Sequence, residues 1–134
     1  EGGGINVREI KFRGKRTDNG EWIYGNLIYD EHFPWIVADA ADWDDEFIAF
    51  EEWRRIDPAT VGQYTGLCDR NGKQIFEGDV LDILGAGWYE VIFSEGCFGA
   101  VDGIGFTPFR SSIWGMGGVV IGNVWDNPEL LEEG

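Results

Sequence analysis

VGQYTGLCDRNGKQIFEGDVLDI, Val61 to Ile83, sets a polar turn between two apolar runs and follows the second run at once with Glu-Gly-Asp. Asp69-Arg70-Asn71-Gly72 separates Gln63-Tyr64-Thr65-Gly66-Leu67 from Lys73-Gln74-Ile75-Phe76. Asn-Gly readily supplies the positive φ that a tight hairpin turn requires, so a β-hairpin is expected here. Glu77-Gly78-Asp79 then opens the run Val80, Leu81, Ile83 and Leu84, and Gly78 is expected to bend the chain sharply into a new strand. The whole stretch therefore reads as structure before it reads as chemistry.

Downstream, Gly85-Ala86-Gly87 breaks the strand, WYEVIF starts another, and Ser94-Glu95-Gly96 turns it into CFGAV. Short strands at close spacing with Gly-rich turns predict a small, strongly bent antiparallel barrel of the SH3-like kind. The end of the chain, GVVIGNVWDNPELLEEG, predicts a strand, a helix start at Asp126-Asn127-Pro128 and a short acidic helix. Upstream, INVREIKFRG alternates loosely, with Val7, Ile10 and Phe12 apolar and Arg8, Lys11 and Arg13 charged, as in a half-exposed strand. Asp18-Asn19-Gly20 and EWIYGNLIYD complete a hairpin with it. In EHFPWIVAD, Pro34 marks a turn into a short strand, and Asp57-Pro58 marks the turn before WRRIDPATVGQYTGL returns to strand character. The fold expected is mainly β with minor helix: an N-terminal β-rich subdomain over residues 5–60 and an SH3-like subdomain with a short C-terminal helix over 61–134. Glu1–Gly4, a Gly-rich start, is left out of that division.

At 134 residues the chain is the size of one domain or two small lobes sharing a core, and 43% hydrophobic residues are too many for disorder. Its apolar runs are far too short to span a bilayer as helices, and the N-terminus carries no apolar signal core. A cytoplasmic protein with two reduced thiols, Cys68 and Cys97, is expected. The net charge is -15, and it is uneven: five bases and two acids up to Arg16 give +3, so the remainder carries -18. Such a field repels nucleic acid and anionic membranes, which argues against direct binding to either. Between Asp39 and Glu52 lie seven acids and no base. That segment is expected as an exposed loop or short helix with Trp43, Phe47 and Phe50 turned inward.

No catalytic constellation emerges. His32 is the only histidine, and neither cysteine sits in a nucleophile motif. DRNGKQIFEGD lacks the calcium-loop spacing, because Lys73 stands fifth and Gly72 fourth, where a side-chain oxygen and the invariant glycine would fall fifth and sixth. IWGMGGVVIG lacks both the Lys-Ser/Thr ending of a phosphate loop and the spacing of a dinucleotide fingerprint. No cofactor is expected. The candidate surface is Asp39, Asp42, Trp43, Asp44 and Asp45, four aspartates around one tryptophan. It reads either as oxygen ligands for a hard cation or a partner surface, or as a solvated like-charged loop. Seven tryptophans exceed what a small β core needs, and some of them are expected to line a homo-oligomer contact or simply to fill that core.

REIKFRG near the start, VGQYTGLCDRNGKQIFEGDVL in the middle and VIGNVWDNPELL at the end resemble, in that order, the YopX protein family of bacteriophages and prophages. The segments from Asp30 to Ile56 and from Ala86 to Gly118 match less and read as variable. The resemblance implies a small, largely β, phage-encoded protein of the bacterial cytoplasm, and it brings no catalytic residues. The leading expectation is a non-enzymatic module that self-associates and binds another protein. Alternatives of other classes are an acidic nucleic-acid mimic occupying a DNA-binding protein, and more remotely a metal-dependent hydrolase using the Asp39–Glu52 carboxylates.

Overall fold

The computed structural model describes residues 9–83, 87–109 and 118–133. Alternating β-branched and aromatic residues drive the chain into strands almost throughout, and these gather into two antiparallel sheets. The first contains β1 (Phe12–Lys15), β2 (Trp22–Tyr29), β3 (Pro34–Trp43), β4 (Ile48–Arg55), β5 (Gly62–Cys68) and β6 (Gln74–Phe76) in the order β4-β3-β2-β1-β5-β6. The second contains β7 (Asp79–Ile83), β8 (Gly87–Ser94), β9 (Cys97–Val101), β10 (Phe106–Pro108) and β11 (Gly118–Asn123) in the order β10-β9-β8-β7-β11. A turn of 3-10 helix, Pro58–Thr60, leads into β5, and the short helix α1 (Glu129–Glu133) follows β11.

The expected hairpins form. β1 pairs with β2, and Tyr64 of β5 stands opposite Phe76 of β6. In the β5–β6 turn it is Gly72 that takes the positive φ, +87°, while Asn71 does not. Asp57 caps the 3-10 turn by accepting the Ala59 amide hydrogen, as its position before Pro58 suggests. The change of sheet comes at Glu77-Gly78 and not near Val61: β5 and β6 pair into the first sheet, β5 lying against β1. Pairing among non-local strands decides this, which no local pattern encodes. β10 is a strand that sequence patterning missed. Of the expected Gly85-Ala86-Gly87 break, Gly85 and Ala86 fall outside the described residues, as do Leu84, Trp114 and the strand start at Val7 and Arg8, while Gly87 opens β8 at φ +98°.

Ile36 and Ile56 are fully buried in the first sheet. In the second sheet Leu81, Val91 and Ala100 pack together, and Ile75 from β6 joins them. One strand of the first sheet thus contributes a residue to the core of the second. Among the described residues the second sheet is open, with no pairing between β10 and β11. No described helix is long and apolar enough to cross a membrane.

Candidate interaction surface

The Val61–Ile83 stretch turns out to build the joint between the sheets. Arg13, on β1, is buried and donates from Nη2 to Asp79 Oδ1 at 2.8 Å and to the Glu77 carbonyl at 3.1 Å. Asp79 Oδ2 accepts the Phe76 amide hydrogen at 2.8 Å. The Arg13 guanidinium lies 4.6 Å from the Trp22 ring centroid and 5.0 Å from that of Phe76, a stacking arrangement that a planar, weakly hydrated cation favours. Burial pushes the Asp79 carboxyl up, against the opposing pull of the Arg13 charge and the Phe76 amide. Gly78 adopts φ +91°, and a Cβ there would fall into the Trp125 ring. Only glycine meets both demands.

The neighbouring motif residues serve the same joint. Glu77 accepts the Gln63 amide hydrogen at 2.9 Å and returns its own amide to the Gln63 carbonyl at 3.0 Å. Buried Asp69 accepts from the Asn71 and Lys73 amides on Oδ1 and from Val120, on β11, on Oδ2. Its burial would raise its pKa, but those three amides outweigh it and hold the carboxyl below its ordinary range. Thr65 accepts from the Leu67 amide, Gly66 sits at φ +90° in the irregular part of β5, and the Tyr64 ring packs tilted by 39° against that of Phe76. Trp22 donates to Asp126 at 2.8 Å, Lys15 ion-pairs with the same carboxylate, and together they hold it down to about 2.

The acidic segment takes another form than the loop or short helix expected. β2 pairs β3 only from Pro34 to Val37, and beyond that point β3 runs on with β4 alone as a two-stranded arm. A bulge between Ala40 and Asp42 and a positive φ of +59° at Asp39 twist it. Asp44 builds its turn, accepting the Glu46 and Phe47 amides at 2.8 and 3.1 Å. Trp43 and Phe47 do not turn inward: they are 64% and 50% exposed, and Ile48, directly opposite Trp43, is 55% exposed. Trp53, opposite buried Val37, is 58% exposed. Inward packing fails because, among the described residues, the two-stranded arm has no second layer to bury against. Asp39, Asp42, Asp44 and Asp45 are all exposed on this arm beside those aromatics.

Matching against protein families finds the YopX protein family over residues 11–132. The chain belongs to the YopX family. Among solved structures it is similar to protein EF1440 from Enterococcus faecalis, with 26% identity and a TM-score of 0.68 over 93% of this chain and 99% of that one. No curated protein matches. The family match spans both the joint and the arm.

His32 sits exposed in the β2–β3 turn beside Glu31. Cys68 is exposed and Cys97 half-buried, 29 positions apart in the chain, and both are free thiols. Among the described residues no three His, Cys, Asp or Glu side chains come together to hold a metal ion. Sequence reasoning missed Arg13. Its signal was an arginine in an alternating strand at a position that faces aromatic residues, which on sequence alone looks like a solvated face.

Proposed function

We propose that this YopX-family chain is a phage- or prophage-encoded, non-enzymatic interaction module of the bacterial cytoplasm, and that the β3–β4 arm is its contact surface. The observation that carries the reading is the arm itself: a two-stranded ribbon presenting Trp43, Phe47 and Ile48, with Trp53 at its base, to solvent among seven acids. Isolated two-stranded ribbons are marginal in water, and large exposed aromatics are the residue types that anchor interfaces. Covering the arm, by a second copy or by another protein, stabilises it. The five-stranded sheet is read as an SH3-like bent meander, supported by the return of its last strand to pair with its first.

The test is sedimentation velocity at physiological salt on the wild-type chain and on a Trp43→Ser/Ile48→Ser variant, with capture of host proteins on both. Association or capture that the variant loses, at unchanged melting temperature, supports the reading; equal behaviour of the two proteins overturns it. A second reading, nucleic-acid mimicry, is favoured by the seven acids of the arm. It predicts basic partners released by competing duplex DNA and lost on charge reversal of Asp42, Asp44 and Asp45.

A further inference from the structure

Glu90, on β8, is a carboxylate set in an apolar row: it stands opposite Val80 of β7 on one side and Val101 of β9 on the other. Gly122 of β11 follows Val80 in the same row, and a Cβ there would lie 3.0 Å from Leu130 Cδ1, so α1 settles onto this face where glycine makes room. Val80 is fully buried, whereas at Glu90 the cover stops short and leaves a cleft of about 510 Å³. Trp88, two residues earlier on β8 and so on the same face, lines it with Glu90, Val101, Ile104, Leu130 and Leu131. Glu90 is half-buried and open to the cleft, and among the described residues it makes no hydrogen bond or ion pair. No Lys, Arg or His lines the cleft. Asp102, at its end, already uses Oδ1 on the Ile104 and Gly105 amides at 2.7 and 3.0 Å. Burial pushes the Glu90 carboxyl up with nothing to oppose it. A carboxylate partly withdrawn from water without a counter-charge is costly, and a cation arriving in the cleft removes that cost.

We propose that the cleft between β8, β9 and α1 binds an organic cation, an ammonium or guanidinium group on a short hydrocarbon stem, with the Glu90 carboxylate as its counter-charge. The Trp88 ring offers the cation a π face, and Val101, Leu130 and Leu131 receive the stem. A bare metal ion does not suit the site, because one free carboxylate on an apolar wall supplies too few oxygen ligands. The net charge of -15 draws cations toward the chain, and Glu90 fixes where one is held. This inference is independent of the arm.

The test titrates n-butylammonium into the full chain, at constant ionic strength made up with sodium chloride, and follows proton–nitrogen NMR spectra. Saturable shifts are expected at the Trp88 indole and at the backbone amides of residues 101–104, with a dissociation constant on the order of a millimolar. Glu90→Gln keeps the shape and removes the charge, and should weaken binding about ten-fold or more, while the neutral isostere n-pentanol binds both chains alike. Trp88→Leu should weaken the ammonium about three-fold. Nα-acetyl-lysine methylamide binding more tightly than butylammonium assigns the stem to a protein side chain; weaker binding assigns it to a free amine. Shifts that never saturate, or an unchanged dissociation constant in a folded Glu90→Gln chain, overturn the proposal, since general attraction to an acidic surface gives both.

Discussion

The joint between the sheets and the β3–β4 arm are made of the same residue types, tryptophan and aspartate, put to opposite use. At the joint, Asp79 and Asp126 are each held by a cation and by an N–H group, and Trp22 and Trp125 meet edge to face at 5.6 Å. On the arm, Trp43 is more than half exposed, as is Trp53 at its base, while Asp39, Asp42 and Asp45 face solvent. Aspartates at the joint are fixed by partners from distant strands, whereas on the arm Asp44 accepts amides of its own turn and Asp39, Asp42 and Asp45 stand exposed. The buried ion pair and the ring packing thus lie at the joint, and the exposed aromatics on which the proposed contact rests lie on the arm.

That contrast breaks first at Arg13 and Asp79. Arg13→Ala or Asp79→Ala leaves one charge buried without its partner and should cost about 3–5 kcal/mol, read as lost denaturant midpoint, whereas an apolar pair such as Arg13→Met/Asp79→Leu should recover much of it. Next comes Gly78→Ala, which meets both the positive φ and the Trp125 ring, and should cost about 2 kcal/mol or more in chemical unfolding.

Asp126 sharpens the comparison through pH. Its folded pKa, about 2, lies below the ordinary 3.8, so its contribution is present above the unfolded value and lost as pH falls toward 2. Asp126→Asn should therefore flatten the acid limb of the melting temperature between pH 4 and pH 2, as thermal scans would read it. Glu90 behaves in the opposite sense. It lines a cleft of about 510 Å³ with Trp88, Val101 and Leu130, and burial alone pushes its carboxyl above 4.5. A raised carboxyl favours the fold while protonated, and that preference is lost as pH rises through the folded value. Glu90→Gln should raise the melting temperature at pH 7 by about 2 °C and leave it unchanged below the carboxyl's unfolded range. Smallest of all, Trp43→Ser/Ile48→Ser should alter stability by no more than about 0.5 kcal/mol, since both side chains are exposed.

Much of the joint was legible in the sequence. Asn71-Gly72 and Glu77-Gly78-Asp79 announce a turn and a bend through backbone chemistry that depends on a few neighbours, and the Asp126-Asn127-Pro128 helix start is equally local. What Asp79 binds was not legible, because Arg13 lies 66 positions away. The arm was misread for a related reason. Seven acids suggest a solvated loop, yet strand pairing from Ala38↔Glu52 to Trp43↔Ile48 holds the segment extended, and the aromatics that would fill a core elsewhere find no layer beneath them among the described residues. The aspartates themselves were correctly singled out as exposed, since charge without a counterion reads directly from composition.

The most direct test of the division between joint and arm is sedimentation velocity of the wild-type and Trp43→Ser/Ile48→Ser chains over a wide concentration range at physiological salt. The arm as contact surface predicts reversible association of the wild-type chain and a monomeric variant, both folded. A wild-type chain that stays monomeric throughout, or a variant that associates equally well, would contradict self-association through the arm.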